Sequence, residues 1–220
     1  MKTSKIYLNT VSPLLLEVFN QLSEIPLLQH CRLVGGTALS LLLGHRISVD
    51  IDLFTDQEYG TLDFDALEKA LSDKFAFFQN SLVKIAAFGK SYYVGNSPNE
   101  SIKIDIYYTD PFVSEGIYIG KGLPIASLED IIPLKVEAVM NRGSKKDFWD
   151  LHEILEHYSL STIISLYEKK YPYISLNSEM LAQFIHFEEA DNDNDPICLK
   201  GKHWELIKLD IEEAVIKETK

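Results

Sequence analysis

The chain has 220 residues, 46% of them hydrophobic and 25% charged, which is the composition of a globular protein large enough for one domain or for a core with a helical appendage. A formal net charge of −12 argues against broad, non-specific binding to nucleic acid, although a local basic patch could still hold RNA. Two cysteines indicate reduced thiols and a cytoplasmic protein rather than a disulfide framework or a zinc site, and no apolar run forms a signal peptide or approaches the ~20 residues of a membrane span.

An amphipathic helix is predicted over residues 12–29, where apolar residues recur at spacings of three and four. Ser12 followed by Pro13 fits an N-cap with proline in the first turn. A short apolar strand over Arg32–Val34 follows this helix. The strand leads directly into a pair of glycines.

The glycine pair, Gly35 and Gly36, predicts a sharp turn at which the backbone can come close to a ligand. A short helix is predicted over residues 37–43, ending at Gly44. The free N–H groups at a helix start attract anions. The turn is therefore a candidate anion-binding site.

The next predicted strand carries two aspartates, Asp50 and Asp52. Side chains alternate along a strand, so these two project from one face, and Val49, Ile51 and Leu53 project from the other. Two carboxylates ~4 Å apart repel by roughly 4 kcal/mol at an effective dielectric of 20. They need a proton, a cationic neighbour or a divalent ion, and Mg²⁺ with oxygen ligands is the simplest answer.

A third carboxylate is predicted on a later strand. A helix over residues 64–75 comes first, followed by strands over 77–87, 91–95 and 101–108 with turns at 88–90 and 95–98. In the last strand the alternation is strict, with isoleucines on one face and Lys103, Asp105 and Tyr107 on the other. Asp105 is therefore a third carboxylate on the polar face of a strand, and alone it would be interpreted as a surface residue.

From Ser127 onward the pattern is helical. Ser127 begins a capping box, and Pro133 leaves two alternatives open, one continuous helix or a turn followed by a helix that begins near Pro133. Lys135 and Arg142 are about two turns apart and share a face. Gly143 is predicted to end this helix. Ser144 then starts the next one, and further helices are predicted over 162–170, 178–187 and 204–217.

Three charged features receive a structural interpretation. Lys146 and Asp150 are interpreted as a surface ion pair worth only ~0.3–0.5 kcal/mol. His45 is interpreted as packing or as the edge of a substrate site. The acidic run beginning at Asp191 imitates the start of a calcium loop, but Pro196 and Lys202 stand where that loop needs glycine and glutamate, so calcium is not predicted.

The stretches GGTALSLLLGHRISVDIDLF and PLKVEAVMNRGSKKDFWDL resemble the AbiEii/AbiGii-type nucleotidyltransferase toxins of bacterial abortive-infection and toxin–antitoxin systems. These toxins are part of the DNA polymerase beta-like nucleotidyltransferase superfamily. The resemblance implies an α+β fold, in which a nucleotidyltransferase-type mixed sheet is flanked by helices and followed by a C-terminal helical region. It further implies an α/β core over residues 1–123 and a helical region over 124–220.

The resemblance also implies a chemistry. A Mg²⁺ or Mn²⁺ ion and a nucleoside triphosphate would be bound, and a nucleotide would be transferred to RNA, such as the 3′ end of tRNA. A small molecule such as an aminoglycoside, a protein hydroxyl, or a non-catalytic binding module are the alternatives, and an antitoxin is an expected partner. The implied catalytic and metal-binding residues are Asp50, Asp52 and Asp105. The implied nucleotide- or phosphate-binding residues are Gly35, Gly36, Thr37, Arg46, Ser48, Lys135, Arg142, Lys146 and Asp147.

Overall fold

A computed structural model describes residues 5–80, 88–119 and 122–218. Its strands are β1 (Arg32–Val34), β2 (Ile51–Thr55), β3 (Phe77–Asn80), β4 (Gly89–Ser97) and β5 (Glu100–Tyr108). Its α-helices are α1 (Pro13–Leu22), α2 (Gly35–Leu43), α3 (Phe64–Lys74), α4 (Leu128–Asn141), α5 (Lys145–Leu155), α6 (Leu160–Lys170), α7 (Ser178–Ala182) and α8 (Trp204–Glu218). Short 3-10 helices lie at Leu8–Thr10, Pro26–Leu28, Gln183–Ile185 and Ala190–Asn192.

The strands form one mixed sheet in the order β1-β2-β5-β4-β3. Strands β2 and β5 are parallel, and the other neighbours are antiparallel. The register places Asp52 opposite Asp105 and places Ser91 of β4 opposite Asp105 on the other side. Residues in register share a face of the sheet, so these three side chains lie in one row across neighbouring strands.

The opposite face of the sheet is the core face. Ile51 and Leu53 of β2 and Ile104 and Ile106 of β5 are completely buried there. Helix α1 packs against β4 and β5. The alternation of isoleucine and polar residues along β5 thus divides the sheet into an apolar side and a polar side, as the sequence predicts.

Helix α4 is continuous through Pro133, so the first of the two alternatives is confirmed. The Ser127 side chain caps it by accepting a hydrogen bond from the Asp130 N–H at 3.2 Å. Gly143 has φ +51° and separates α4 from α5, where Ser144 is the N-cap, as predicted. Pro133 has no backbone N–H to donate, and it is buried within α4.

Helix α5 is held in the interior by aromatic packing. Phe148 and Trp149 are buried, and the Trp149 ring lies parallel to Trp204 of α8 with centroids 6.4 Å apart. Phe187 meets the Phe148 ring edge-on at 4.9 Å. Because these rings fix the orientation of α5, its polar residues are also carried inward.

Several predicted bounds were wrong. The first helix ends at Leu22, because Pro26 begins a separate 3-10 turn. Most of the turns predicted at 88–90 and at 95–98 is strand, since β4 runs from Gly89 to Ser97. Val49 is 63% exposed because β2 begins only at Ile51. Residues 81–87 of the predicted third strand lie outside the described residues.

The division at residue 123 stays a prediction. The residues just after it pair with the sheet, since the Leu33 N–H donates to Pro124 and the Ala126 N–H donates to Leu33. Within the described ranges, no helix has the length and apolarity to cross a membrane.

Candidate active site

The three predicted carboxylates line one cleft of about 900 Å³. Asp52 and Asp105 are register partners on parallel strands and leave the same face of the sheet. Asp50 lies two residues before Asp52, just ahead of β2. We call Asp50, Asp52 and Asp105 the carboxylate row. The opposite wall of the cleft is formed by α4 and by residues 193–197.

The carboxylate row is only partly neutralised by the protein. The Lys103 ammonium lies 2.5 Å from Asp105 Oδ2, whereas Asp105 Oδ1 is buried and has no hydrogen-bond partner among the described residues. Burial, and then the Asp105 charge, raise the pKa of Asp52 to about 6. The oxygens of the carboxylate row do not all lie within 4.8 Å of one another in the described structure. An unpartnered buried carboxylate oxygen beside a second carboxylate fits the preference of a hard divalent cation.

The glycine pair leaves room for two protein side chains. A Cβ on Gly35, whose φ is +69°, would lie 2.0 Å from Asp52 Oδ2. A Cβ on Gly36 would lie 2.4 Å from Arg46 Nη2. The sequence reasoning that these glycines let the backbone approach a ligand therefore missed their immediate role, which is to admit Asp52 and Arg46. Helix α2 begins at Gly35, two residues earlier than predicted, and no side chain caps it.

Thr37 and Ser48 join α2 to the segment before β2 through buried hydrogen bonds. The Thr37 hydroxyl donates to Ser48 Oγ at 2.9 Å and also contacts the carbonyl oxygen of Asp50. The Ser48 N–H donates to the Thr10 carbonyl oxygen at 2.9 Å. Both hydroxyl residues are buried, so they fix the segment before β2 against α2 and thereby set the position of Asp50.

Asp150 is the centre of a buried ion-pair network. Its carboxylate receives Arg46 Nε at 2.6 Å and Arg46 Nη2 at 2.8 Å, Lys135 Nζ at 2.6 Å, and His45 Nε2 at 2.7 Å. Burial alone would raise the pKa of Asp150, but the Arg46 and Lys135 cations outweigh it and hold the pKa well below its usual value. The interpretation of Asp150 as the surface partner of Lys146 was therefore wrong, because the aromatic packing of α5 turns Asp150 inward.

Asp147, one turn earlier on α5, is the partner of the second arginine that lines the cleft. Arg142 Nε and Nη2 donate to its two oxygens at 2.6 and 2.8 Å, and the Ser144 hydroxyl donates at 2.5 Å. Burial would raise the pKa of Asp147, but the Arg142 hydrogen bond leads the effects that lower it. Lys135 Nζ lies 3.6 Å from the same carboxylate. Asp147 is buried behind these cations.

Four predicted cations face the cleft, and they differ in exposure and in ion pairing. Arg46 and Lys135 are buried and committed to Asp150, whereas the Arg142 side chain is 57% exposed. Lys146 is exposed on the cleft wall and has no ion-pair partner among the described residues. The prediction that Lys135 and Arg142 share a face is confirmed by their common position on the cleft.

Two features of the site were missed by sequence reasoning. The first is Lys103, although its signal was visible, since it precedes Asp105 by two residues and so shares its face. The second is the acidic segment, which forms part of the cleft wall. There the Lys145 N–H donates to Asp193 Oδ2 at 2.9 Å and Lys145 Nζ lies 3.0 Å from Asp195 Oδ1, so this segment caps the start of α5.

Comparisons with known proteins agree with this geometry. The model of the family described as "Nucleotidyl transferase AbiEii toxin, Type IV TA system" matches residues 17–215. Over 171 residues the chain is 29% identical to Uncharacterized protein aq_aa25 of Aquifex aeolicus (strain VF5), covering 72% of this chain and 74% of that protein.

Two solved structures share the fold. JHP933 from Helicobacter pylori superposes with a TM-score of 0.55 at 20% identity, covering 93% of this chain and 88% of that chain. MenT4, a nucleotidyltransferase toxin from Mycobacterium tuberculosis H37Rv, gives a TM-score of 0.52 at 12% identity, covering 86% and 76%. The expected α+β, nucleotidyltransferase-type fold is therefore confirmed.

Proposed function

The chain belongs to the AbiEii nucleotidyltransferase toxin family, and we propose that it transfers a nucleotide from a nucleoside triphosphate to an RNA acceptor, such as the 3′ end of tRNA. It is an enzyme of the nucleotidyltransferase type, and enzymes of this kind generally use a divalent metal. The observation that carries the proposal is the register of Asp52 with Asp105 beside the uncapped start of α2.

Asp50, Asp52 and Asp105 would hold the divalent ions, and Mg²⁺ or Mn²⁺ suits their oxygen ligands. Bound there, such ions would supply stabilisation of the attacking and the leaving oxygens in an in-line displacement. In that displacement the acceptor hydroxyl oxygen forms a bond to the α phosphorus. The bond from this phosphorus to the bridging oxygen breaks, and pyrophosphate leaves.

Asp105 is suited to receive the proton of the acceptor hydroxyl. It lies at the β4 side of the carboxylate row, and its Oδ1 has no partner among the described residues. A carboxylate within hydrogen-bond reach of the hydroxyl can act as the general base. Burial raises the pKa of Asp52, so a cation beside it would stabilise its charged form.

The triphosphate would be bound at the α2 end of the cleft. The N–H groups of Gly36 and Thr37 lie in the uncapped first turn of α2, where the helix dipole favours negative charge. Arg142 and Lys146 face the same cleft and are exposed enough to reach a phosphate. Arg46 and Lys135 retain further donors while Asp150 orients them.

The toxin role extends to partners and place of action. The family description names a type IV toxin–antitoxin system, so we propose that an antitoxin is encoded beside this gene. An enzyme that consumes nucleoside triphosphates and modifies RNA would act in the cytoplasm. A neighbouring reading frame for a small DNA-binding protein would support the pairing.

The acceptor class is tested by label transfer. The purified protein is incubated with each α-labelled nucleoside triphosphate and Mg²⁺ or Mn²⁺, and separately with total RNA, total protein and an aminoglycoside. We expect label in the tRNA fraction of the RNA. Label on a protein or drug hydroxyl would instead support one of the alternative acceptors, and label on none with either metal would contradict transferase activity.

A further inference from the structure

Strand β4 extends the polar face of the sheet beyond the cleft. The cleft is lined by residues of β1, β2, β5 and α4, and none of its lining residues belongs to β4 in the described structure. The register nevertheless places Ser91 of β4 opposite Asp105 and Tyr93 opposite Lys103. Lys103 and Asp105 lie at the edge of the cleft next to β4, so a second substrate can reach the carboxylate row from the β4 side.

Tyr93 presents an unused aromatic ring on this face. Tyr93 is 38% exposed, and its side chain makes no hydrogen bond or ring contact with the described residues, although its backbone belongs to the sheet. Its neighbour Tyr92, on the core face, is completely buried against Phe78. The Tyr93 ring is thus not needed for core packing, and its exposed apolar surface is free to stack with a ligand.

Lys103 adds a cation next to that ring. It is the cross-strand neighbour of Tyr93, and its ammonium lies against Asp105 at 2.5 Å. A strand spacing of about 4.8 Å and two residues of strand rise place Tyr93 about 8 Å from Asp105, measured between backbones. A ring about 8 Å from Asp105 with a cation between them matches the base and the phosphate of a terminal nucleotide whose hydroxyl reaches Asp105.

We propose that Tyr93 and Lys103 form an acceptor platform that holds the 3′-terminal nucleotides of a single-stranded RNA. This inference rests on the proposed function and specifies its acceptor. Aromatic rings bind single-stranded nucleic acid by stacking with bases, which requires no particular sequence. The platform contributes one positive charge, that of Lys103. A chain with a net charge of −12 is unsuited to a long duplex, and a single lysine is enough to contact one RNA end.

The platform is tested by RNA binding in the absence of nucleotide. A fluorescein-labelled, single-stranded 12-nucleotide RNA with a free 3′ hydroxyl is titrated with the full-length protein, and anisotropy is recorded. Tyr93→Ala should weaken binding by about five- to hundredfold, the range expected for loss of one stacked base. Tyr93→Phe, which keeps the ring, should stay within twofold of the unsubstituted protein.

Tyr118→Ala is the matched control. Tyr118 is 69% exposed, and it follows Ile117, which bridges to Ile125 beyond the β1 edge and far from β4. This variant should bind the RNA normally. Equilibrium dialysis with each nucleoside triphosphate should show unchanged affinity in all three variants, because β4 does not line the cleft.

Two results would overturn the platform, and they have different meanings. Normal RNA binding by Tyr93→Ala, together with label transfer to RNA by the unsubstituted protein, would remove the platform and leave the proposed function intact. Failure of the unsubstituted protein to bind RNA, with label going to protein or to a drug, would remove the RNA acceptor itself.

Discussion

Arg46 and Asp150 form a buried, two-pronged ion pair, with Nε to Oδ1 at 2.6 Å and Nη2 to Oδ2 at 2.8 Å. The arginine precedes β2 and the aspartate lies on α5, so the pair joins the segment that leads to the carboxylate row with the helical wall of the cleft. Lys135 shares the same carboxylate at 2.6 Å. One aspartate therefore fixes two cations that face the cleft.

Removing the Asp150 charge should be costly for stability. In Asp150→Asn the Arg46 and Lys135 cations lose their buried counter-ion, and such a loss costs about 3–5 kcal/mol. Urea unfolding should show this decrease in the free energy of unfolding. Asp73→Asn, at an exposed position, should change it by less than about 0.5 kcal/mol. A decrease below about 1 kcal/mol in Asp150→Asn would contradict the buried network.

The network also predicts acid sensitivity. Burial lowers the pKa of His45, while its hydrogen bond to Asp150 opposes this effect. Below about pH 6.5, the ordinary histidine value, the unfolded chain takes up a proton at this position that the folded chain resists, so His45 lowers the stability as the pH decreases. Asp52, whose pKa is raised to about 6, takes up its proton in the folded chain first and therefore opposes this decline below about pH 6. Asp147 and Asp150 have lowered pKa values, and their contribution is complete above about pH 4 and is lost as the pH falls further.

Unfolding free energies measured from pH 8 to pH 3 check both steps. His45→Gln can still donate to Asp150 and should remove the part of the decline that begins near pH 6.5. His30→Gln, at an exposed position, should leave the decline unchanged. If His45→Gln retained the full slope between pH 7 and pH 5, burial of a neutral His45 would be wrong.

Gly35→Ala should reduce label transfer, an effect that backbone strain alone does not explain. A left-handed backbone costs a residue with a Cβ about 1–2 kcal/mol, and the added Cβ would also lie 2.0 Å from Asp52 Oδ2. Gly201 has nearly the same φ, +66° against +69°, and an added Cβ there meets nothing within 4 Å. We expect the free energy of unfolding of Gly201→Ala to fall only by this strain cost, and we expect the variant to retain label transfer. Equal losses in the two variants would show that Gly35 does not make room for Asp52.

Lys103→Met should strengthen metal binding in the absence of nucleotide. The Lys103 ammonium occupies Asp105 Oδ2, so a divalent cation must displace it. Because the Lys103–Asp105 ion pair is partly exposed, it contributes only ~0.2–1 kcal/mol. Its removal should therefore tighten the Mn²⁺ affinity about one- to fivefold, as measured by calorimetry. Lys90→Met, which breaks an ion pair with Glu68 instead, is the control and should not change the affinity. Weaker Mn²⁺ binding in Lys103→Met would contradict this competition.

The sequence predicts the elements that carry local periodicity and misses what depends on tertiary packing. The alternation in β5 placed Asp105 on the polar face, and the glycine pair marked the start of α2. The partners of Asp150 could not be read locally, because Arg46 is 104 residues away along the chain. The inward turn of α5 depends on ring packing with Trp204, which no spacing rule encodes.

Label transfer to RNA by Asp52→Asn tests the central claim most directly. The substitution keeps the shape of the side chain while removing the charge that the carboxylate row offers to a divalent ion. With Mg²⁺ and α-labelled nucleoside triphosphate, we predict that the unsubstituted protein labels RNA. The variant should label none although its thermal unfolding is cooperative and its melting temperature is no lower. A variant that labels RNA at the rate of the unsubstituted protein would contradict the assignment of the carboxylate row as the metal-binding catalytic centre.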